Sequence, residues 1–148
     1  MKDLAFQHLV EPSAAGLAAA SVALCHWLAA HGAPEAGLGR VELVLEEVVM
    51  NIIMHGTPAA GAVPRIRLAA TALAGGCRLA VSDNGPPFNP AAAVPRTDGA
   101  TLDQAAPGGL GLVLLRRYAQ DLDYRRLPAG NRLALTVPYA ATPGATAG

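Results

Sequence analysis

Glu47, Asn51 and His55 recur at every fourth position through Val41–Gly56, a stretch whose other residues are mostly apolar. On a helix that spacing stacks the three side chains along one side. An amide oxygen such as that of Asn51 is a ligand for a hard cation, and a carboxylate one turn earlier is placed to orient or deprotonate a nucleophile. The same pattern is also met by the edge of a half-buried helix, with Glu42, Glu46 and Glu47 solvated and His55 complementing the C-terminal dipole. The choice has an energetic side: a carboxylate and an amide inside an apolar helix cost on the order of several kcal/mol unless something polar meets them.

Two further stretches carry comparable chemistry. The first is Asp83-Asn84-Gly85-Pro86-Pro87-Phe88. Asn-Gly is a hairpin signal, but consecutive prolines cannot continue a ladder strand. A lone Asp at a strand end can instead offer its carboxylate to the amine of a base, with Gly85 permitting close approach. The second stretch is Gly108-Gly109-Leu110-Gly111. Glycines at a helix entry free backbone N–H groups to face phosphate oxygens, or simply loosen the entry. It is not a Walker loop, because no Gly-Lys-Ser/Thr follows, and Leu114 occupies the third glycine position of a dinucleotide fingerprint.

The elements that must position these residues follow from periodicity and punctuation. Residues 4–10 alternate loosely before Glu11-Pro12-Ser13 and predict a first strand. Ser13 is a natural N-cap for a helix over 14–31 that ends at Gly32, with Trp27 as its one large aromatic anchor. Residues 32–39 predict a turn, and the helix bearing Glu47 and Asn51 follows over 41–56. Residues 65–69 and 77–81 predict a hairpin around Gly75-Gly76. Asn89–Pro107 has no sustained periodicity and predicts a long functional loop. A helix from Leu112 to about Gln120 follows, and then two strands, 121–127 and 132–137, joined by Pro128-Ala129-Gly130-Asn131. Helices first, with hairpins around a third helix, predict an α+β fold: a two-layer α/β sandwich with a mixed, mainly antiparallel sheet and helices on one face. A single domain over 1–140 and a frayed tail over 141–148 are expected.

Composition limits the function classes. The chain has 148 residues, is 52% hydrophobic and 15% charged, and so can bury a sizeable core. Its net charge of +0 carries no footprint for nucleic acid or an anionic membrane. The alanine-rich run 14–30 lacks a cationic leader and is interrupted by Ser21 and His26, so a cytoplasmic protein without a membrane span is expected. Cys25 and Cys77 have no metal-ligand spacing and read as small apolar residues in a reducing compartment. No pair among His8, His26, His31 and His55 has ligand spacing, which leaves a metal-dependent hydrolase unsupported.

The order of these motifs resembles that of the GHKL ATPases, the group containing gyrase, histidine kinases and MutL. Their order here is Glu47-x-x-x-Asn51, then Asp83-x-Gly85-x-x-Phe88, a long loop, Gly109-Leu110-Gly111 opening a helix, and a last strand bearing Leu135-Thr136. More narrowly the chain resembles the small stand-alone branch, the anti-sigma factor serine-protein kinases, and the resemblance runs from the first strand to Val137. It implies ATP and Mg²⁺ as ligands, with Glu47 the general base and Asn51 the Mg²⁺ ligand. Asp83 would hold the adenine amino group, Gly85 would lie beneath the base, and Thr136 would assist through its hydroxyl. His55, Phe88, Gly108 and Leu110 would complete the nucleotide site, Gly109 and Gly111 would wrap the phosphates, and 89–107 would be the ATP lid. The implied partners are a STAS-type antagonist protein as phosphoacceptor, a sigma factor, and a second copy in a homodimer. Arg96 is the lid's only cation, and Pro86-Pro87 departs from the family pattern. The poor lid charge leaves open a nucleotide-gated switch without phosphotransfer; an ATP-hydrolysing regulator is a further alternative, which the chain's size disfavours.

Overall fold

The computed structural model describes residues 5–56, 58, 61–88 and 115–141. The elements run β1 (Ala5–Val10), α1 (Ala14–Ala30), α2 (Glu35–His55), β2 (Ile66–Leu73), β3 (Gly76–Asp83), β4 (Gln120–Leu127) and β5 (Gly130–Pro138). The strands form one five-stranded sheet in the order β1-β2-β3-β5-β4, and its four pairings are all antiparallel. The expected α+β sandwich is therefore present, and no parallel pair occurs among the described strands.

Alternation divides the sheet into two faces. Val10, Ile66, Leu68, Leu79, Val81, Leu133, Leu135 and Val137 are buried with Leu24, Leu28, Val41, Val44, Leu45, Val48 and Val49 of the helices in one core. Burial of such side chains, at about 1.5–3 kcal/mol each, is the main force holding the layers together. Ser13 caps α1 as expected, its Oγ accepting from Gly16 N at 2.9 Å. Trp27 packs partly buried against this core, its ring 5.8 Å from that of Phe6.

Two expected boundaries are corrected. The turn predicted over 32–39 is shorter, because α2 already begins at Glu35. Pro34 stands extended at the N-cap, its carbonyl accepts from Leu38 N at 3.0 Å, and Glu35 places a carboxylate at the positive end of the dipole. Glycines cost a helix about 1 kcal/mol each, so Gly37 and Gly39 are helical because core packing of the following turns outweighs propensity. At the other end, the helix predicted to reach Gln120 covers 115–118 among the described residues, and Gln120 opens β4 opposite Thr136. Asp121 has φ 55° and its carbonyl accepts from Arg78 at 2.9 Å, so the chain is turned into the sheet there.

No helix among the described residues is long and apolar enough to cross a membrane. Both cysteines are free, and burial pushes the Cys77 thiol up to about 12. The loop 89–107, Gly108, Gly109, Leu110 and Gly111, and the tail 142–148 lie outside the described residues.

Candidate nucleotide site

α2 turns its apolar residues toward the sheet and carries Glu47, Asn51 and His55 along one flank. Their environments differ. Asn51 is buried, 2% exposed, and its amide nitrogen has no hydrogen-bond partner among the described residues. Leaving a buried amide group unpaired costs about 1–3 kcal/mol. The two ends of an amide exchange by rotation about χ2, so the orphaned position can present either a donor or an oxygen. Such a group fits a phosphate–metal ligand that meets it from outside the chain. Glu47, one turn earlier, is half-buried, and burial, aided by the charge of Glu46, holds its carboxyl above the usual carboxylate range. Among the described residues no cluster of three or more His, Cys, Asp or Glu could hold a metal by itself. A cation here would rest on Asn51 and on ligand oxygens.

Facing the end of α2 is the loop that leaves β3. Asp83 Oδ1 accepts from Gly85 N at 2.7 Å and from Asn131 Nδ2 at 3.0 Å. Its Oδ2 has no partner among the described residues, so one carboxylate oxygen is fixed by the protein and the other is left for a donor. Asn84 ties the loop on its other side, accepting from Arg65 N at 2.8 Å and donating to the Val63 carbonyl at 2.7 Å. Phe88 closes the loop against α2, its ring 5.5 Å from that of the exposed His55 at an interplanar angle of 33°.

Gly85 is buried, and a Cβ there would overlap the carbonyl of Gly56 at the C-cap of α2. Backbone therefore meets backbone at this point. Lack of a side chain at Gly85 is what allows the β3 loop to sit against the helix end.

The residue that organises the loop is one that sequence reasoning passed over. Asn131 is 3% exposed and lies opposite Asp83 in the β3–β5 register. Its Nδ2 donates to Asp83 Oδ1 at 3.0 Å and to the Pro86 carbonyl at 2.8 Å. Its Oδ1 accepts from Phe88 N at 3.2 Å and from the Tyr124 hydroxyl. Arg126, also unforeseen, donates to the Gly85 carbonyl at 2.8 Å. One buried amide thus holds both ends of the 83–88 segment. Asn131→Ala strips hydrogen-bond partners from Asp83 and from the half-buried Phe88 N–H, and unfolding in urea is expected to show about 1–2 kcal/mol of lost stability.

Thr136 does not join this site, which corrects the role expected for it beside Asp83. It pairs with Arg78 and Gln120, five positions along β5 from Asn131, on the opposite face of the sheet. Its Oγ1 accepts from Arg78 at 2.9 Å. At about 3.4 Å per residue, that register offset amounts to roughly 17 Å. The only sign of Asn131 in the sequence was the dipeptide Gly130-Asn131, which also reads as a turn.

The structure therefore places Asp83, Gly85 and Phe88 in one loop, buttressed by Asn131, against the C-terminal half of α2 that carries Asn51 and His55. A cavity of ≈ 110 Å³ lies under this junction, lined by Ile52, Gly56, Ile66, Asp83 and Asn84 among others. Asn51 presents an unpaired amide, Glu47 a carboxyl of raised pKa, and Asp83 a free carboxylate oxygen. By their chemistry these groups could meet a phosphate–metal group, a proton in transfer and an amine, respectively.

The chain is similar to serine/threonine-protein kinase BtrW from Bordetella bronchiseptica, at 35% identity over 95 residues. That match covers 64% of this chain and 66% of BtrW, just under two thirds of its length. In fold it is similar to a Mycobacterium tuberculosis structure of RsbU and RsbW domains, with a TM-score of 0.62 at 20% identity over 91% of this chain and 32% of that one. It is also similar to a blue-light activated histidine kinase from Erythrobacter litoralis, with a TM-score of 0.50 at 23% identity over 84% of this chain and 41% of that one. The family model described as the histidine kinase-like ATPase domain matches residues 10–137. With that match running from the last residue of β1 through both long helices and into β5, the chain belongs to the histidine kinase-like ATPase domain family.

Proposed function

We propose that the protein is an ATP-dependent protein-serine kinase that regulates transcription by partner switching. The observation that carries the reading is Asn51, a buried amide with an unmet polar end, one turn from the raised-pKa carboxyl of Glu47. Adenine would be held through its amino group by Asp83 Oδ2, with Gly85 and Phe88 beside the base. Asn51 would hold Mg²⁺, whose charge draws the phosphates together and offsets negative charge on the transferring group. Gly108, Gly109, Leu110 and Gly111 would wrap the phosphates, and 89–107 would close over them as a lid. In transfer, Glu47 takes the proton of the acceptor serine hydroxyl as its oxygen bonds to the γ-phosphorus. The bond from that phosphorus to the bridging oxygen breaks and ADP leaves.

The acceptor we infer is a STAS-type antagonist protein, and the second partner a sigma factor held when the antagonist is phosphorylated. A phosphate dianion set into the antagonist's binding surface would release it by desolvation and repulsion. The kinase name of the relative BtrW supports the activity. The same reading takes 1–140 as one domain with 141–148 as a tail, working in the cytoplasm as a homodimer. Incubation of purified protein and a STAS-type antagonist with γ-labelled ATP is expected to label a serine of the antagonist in a Mg²⁺-dependent reaction. Tight ATP binding without any transfer would leave the nucleotide-gated switch as the surviving function.

A further inference from the structure

The face of the sheet turned away from the helices is unused by everything described above, and it has a definite chemistry. Register places Leu9, Arg67, Ser82, Arg132 and Arg125 side by side in one row across all five strands. The adjacent row is Gln7, Ala69, Ala80, Ala134 and Asp123. Three alanines at the centre keep the floor low, so a chain lying on the face can approach the strands closely. A cavity of ≈ 440 Å³ opens there, lined chiefly by Gln7, Leu9, Arg67, Ala69, Ser82 and Arg132.

The cations of this face differ in how they are used. Arg78 donates to Thr136 and to the Asp121 carbonyl, and Arg125 is paired with Asp123 at 3.2 Å. Arg67 and Arg132 have neither a hydrogen-bond acceptor nor a carboxylate partner among the described residues. They flank Ser82 on neighbouring strands, which puts their Cα atoms about 10 Å apart. Two guanidinium forks that no described residue neutralises, over a shallow, small-residue floor, are complementary to carboxylates spaced along an extended or helical peptide.

We propose that this open face is a docking surface for an acidic segment of a partner protein, whose carboxylates are read by Arg67 and Arg132 across Ser82. Charge selects this occupant over others. A second copy of this chain seated symmetrically would set the same cationic patch against itself, with Arg67, Arg78, Arg125 and Arg132 outnumbering Asp123 on each side. Nucleic acid or an anionic bilayer draws on many cations at once, and the chain as a whole has net charge +0. The surface lies across the sheet from Asn51 and Asp83, so it is distinct from the nucleotide site and stands whether or not phosphotransfer occurs.

The test is fluorescence anisotropy with a labelled oligoglutamate peptide, with oligolysine, inorganic phosphate and phosphatidylserine vesicles as comparison ligands. The wild-type protein is expected to bind oligoglutamate, more weakly as salt rises, and not oligolysine. The double variant Arg67→Ala, Arg132→Ala should lose about tenfold in affinity, and Arg67→Lys, Arg132→Lys should keep most of it. ATP affinity, measured on the same samples, should be unchanged in both variants. Equal binding of oligoglutamate by the alanine variant overturns the proposal. So does full competition by inorganic phosphate, or preference for the vesicles. Sedimentation that shows the wild type self-associating and the alanine variant not doing so would assign the face to a second copy instead.

Discussion

Glu47→Gln lowers the rate of phosphotransfer by ~10²–10⁴-fold while leaving ATP affinity nearly unchanged; this is the expected result of a single-turnover assay beside a binding titration. The range is that of a lost general base. Glutamine keeps the size and hydrogen-bonding reach of the side chain, so a loss of binding in step with rate would instead give Glu47 a structural role. The same substitution has a signature in the protein alone. Burial, and then the charge of Glu46, raises the Glu47 carboxyl above the ordinary range. A carboxyl whose pKa rises on folding binds its proton more tightly in the folded chain. Folding is then favoured while Glu47 is protonated, and that contribution is lost as pH climbs from the ordinary carboxylate range through the raised value. Glu47→Gln should flatten the fall of Tm with pH across that window, which melts at a series of pH values will record.

The second large effect is expected at Gly130, where β5 begins. A Cβ there would overlap the carbonyl oxygen of Asp83 and crowd Asn84 Cα at 2.9 Å. These are backbone atoms of the paired strand and cannot rotate away. Gly130→Ala therefore has to push β5 off β3 at the point where Asn131 meets Asp83. Overpacking against fixed backbone costs about 3 kcal/mol, which for a domain of this size lowers Tm by roughly 10 °C. Calorimetry tests the stability, and an ATP titration at a temperature where the variant is folded tests the site. Weaker nucleotide binding by folded Gly130→Ala is expected, because the Asp83–Asn131 contact is displaced. Native-like Tm and affinity would show that the strand ends have slack that the geometry denies.

How much of this could be read from the chain depends on whether the governing contacts are local. Ser13, Gly32 and Gly75 act on their own neighbours, so the ends of α1 and the β2–β3 hairpin were legible. Glu47, Asn51 and His55 were legible as one flank because helical spacing is local too. That Asn51 is the buried, unpartnered member and His55 the exposed one depends on what α2 packs against, which periodicity does not supply. The start of α2 was missed for the same reason: Gly37 and Gly39 argue locally for a turn, and the core overrules them.

The exchange of Thr136 for Asn131 has a different cause. β3 and β5 are neighbours in the sheet but are joined through a long connection and the whole of β4. A tight turn sets register between strands it joins directly, and none joins these two. Counting along the sequence therefore could not tell which β5 residue faces Asp83. A threonine near the end of the strand looked suitable by type, yet it lies on the far face with Arg78. Asn131 was hidden in a dipeptide whose plainer meaning is a turn.

The contact between Gly85 and the Gly56 carbonyl has a consequence for how base preference could change in this protein. At that point the separation between helix and loop is set by main-chain atoms, and no side chain on either wall can be trimmed or enlarged to alter it. On the proposed reading, the base end of the site is then a fixed gauge. Its width should survive substitution of the side chains that project into it, and selectivity between adenine and other bases would be retuned through those groups, Asp83 and Phe88, while Asn131 keeps the loop that carries them in place. A library built to make this protein accept another nucleotide should vary those two positions and leave Asn131 and both glycines alone.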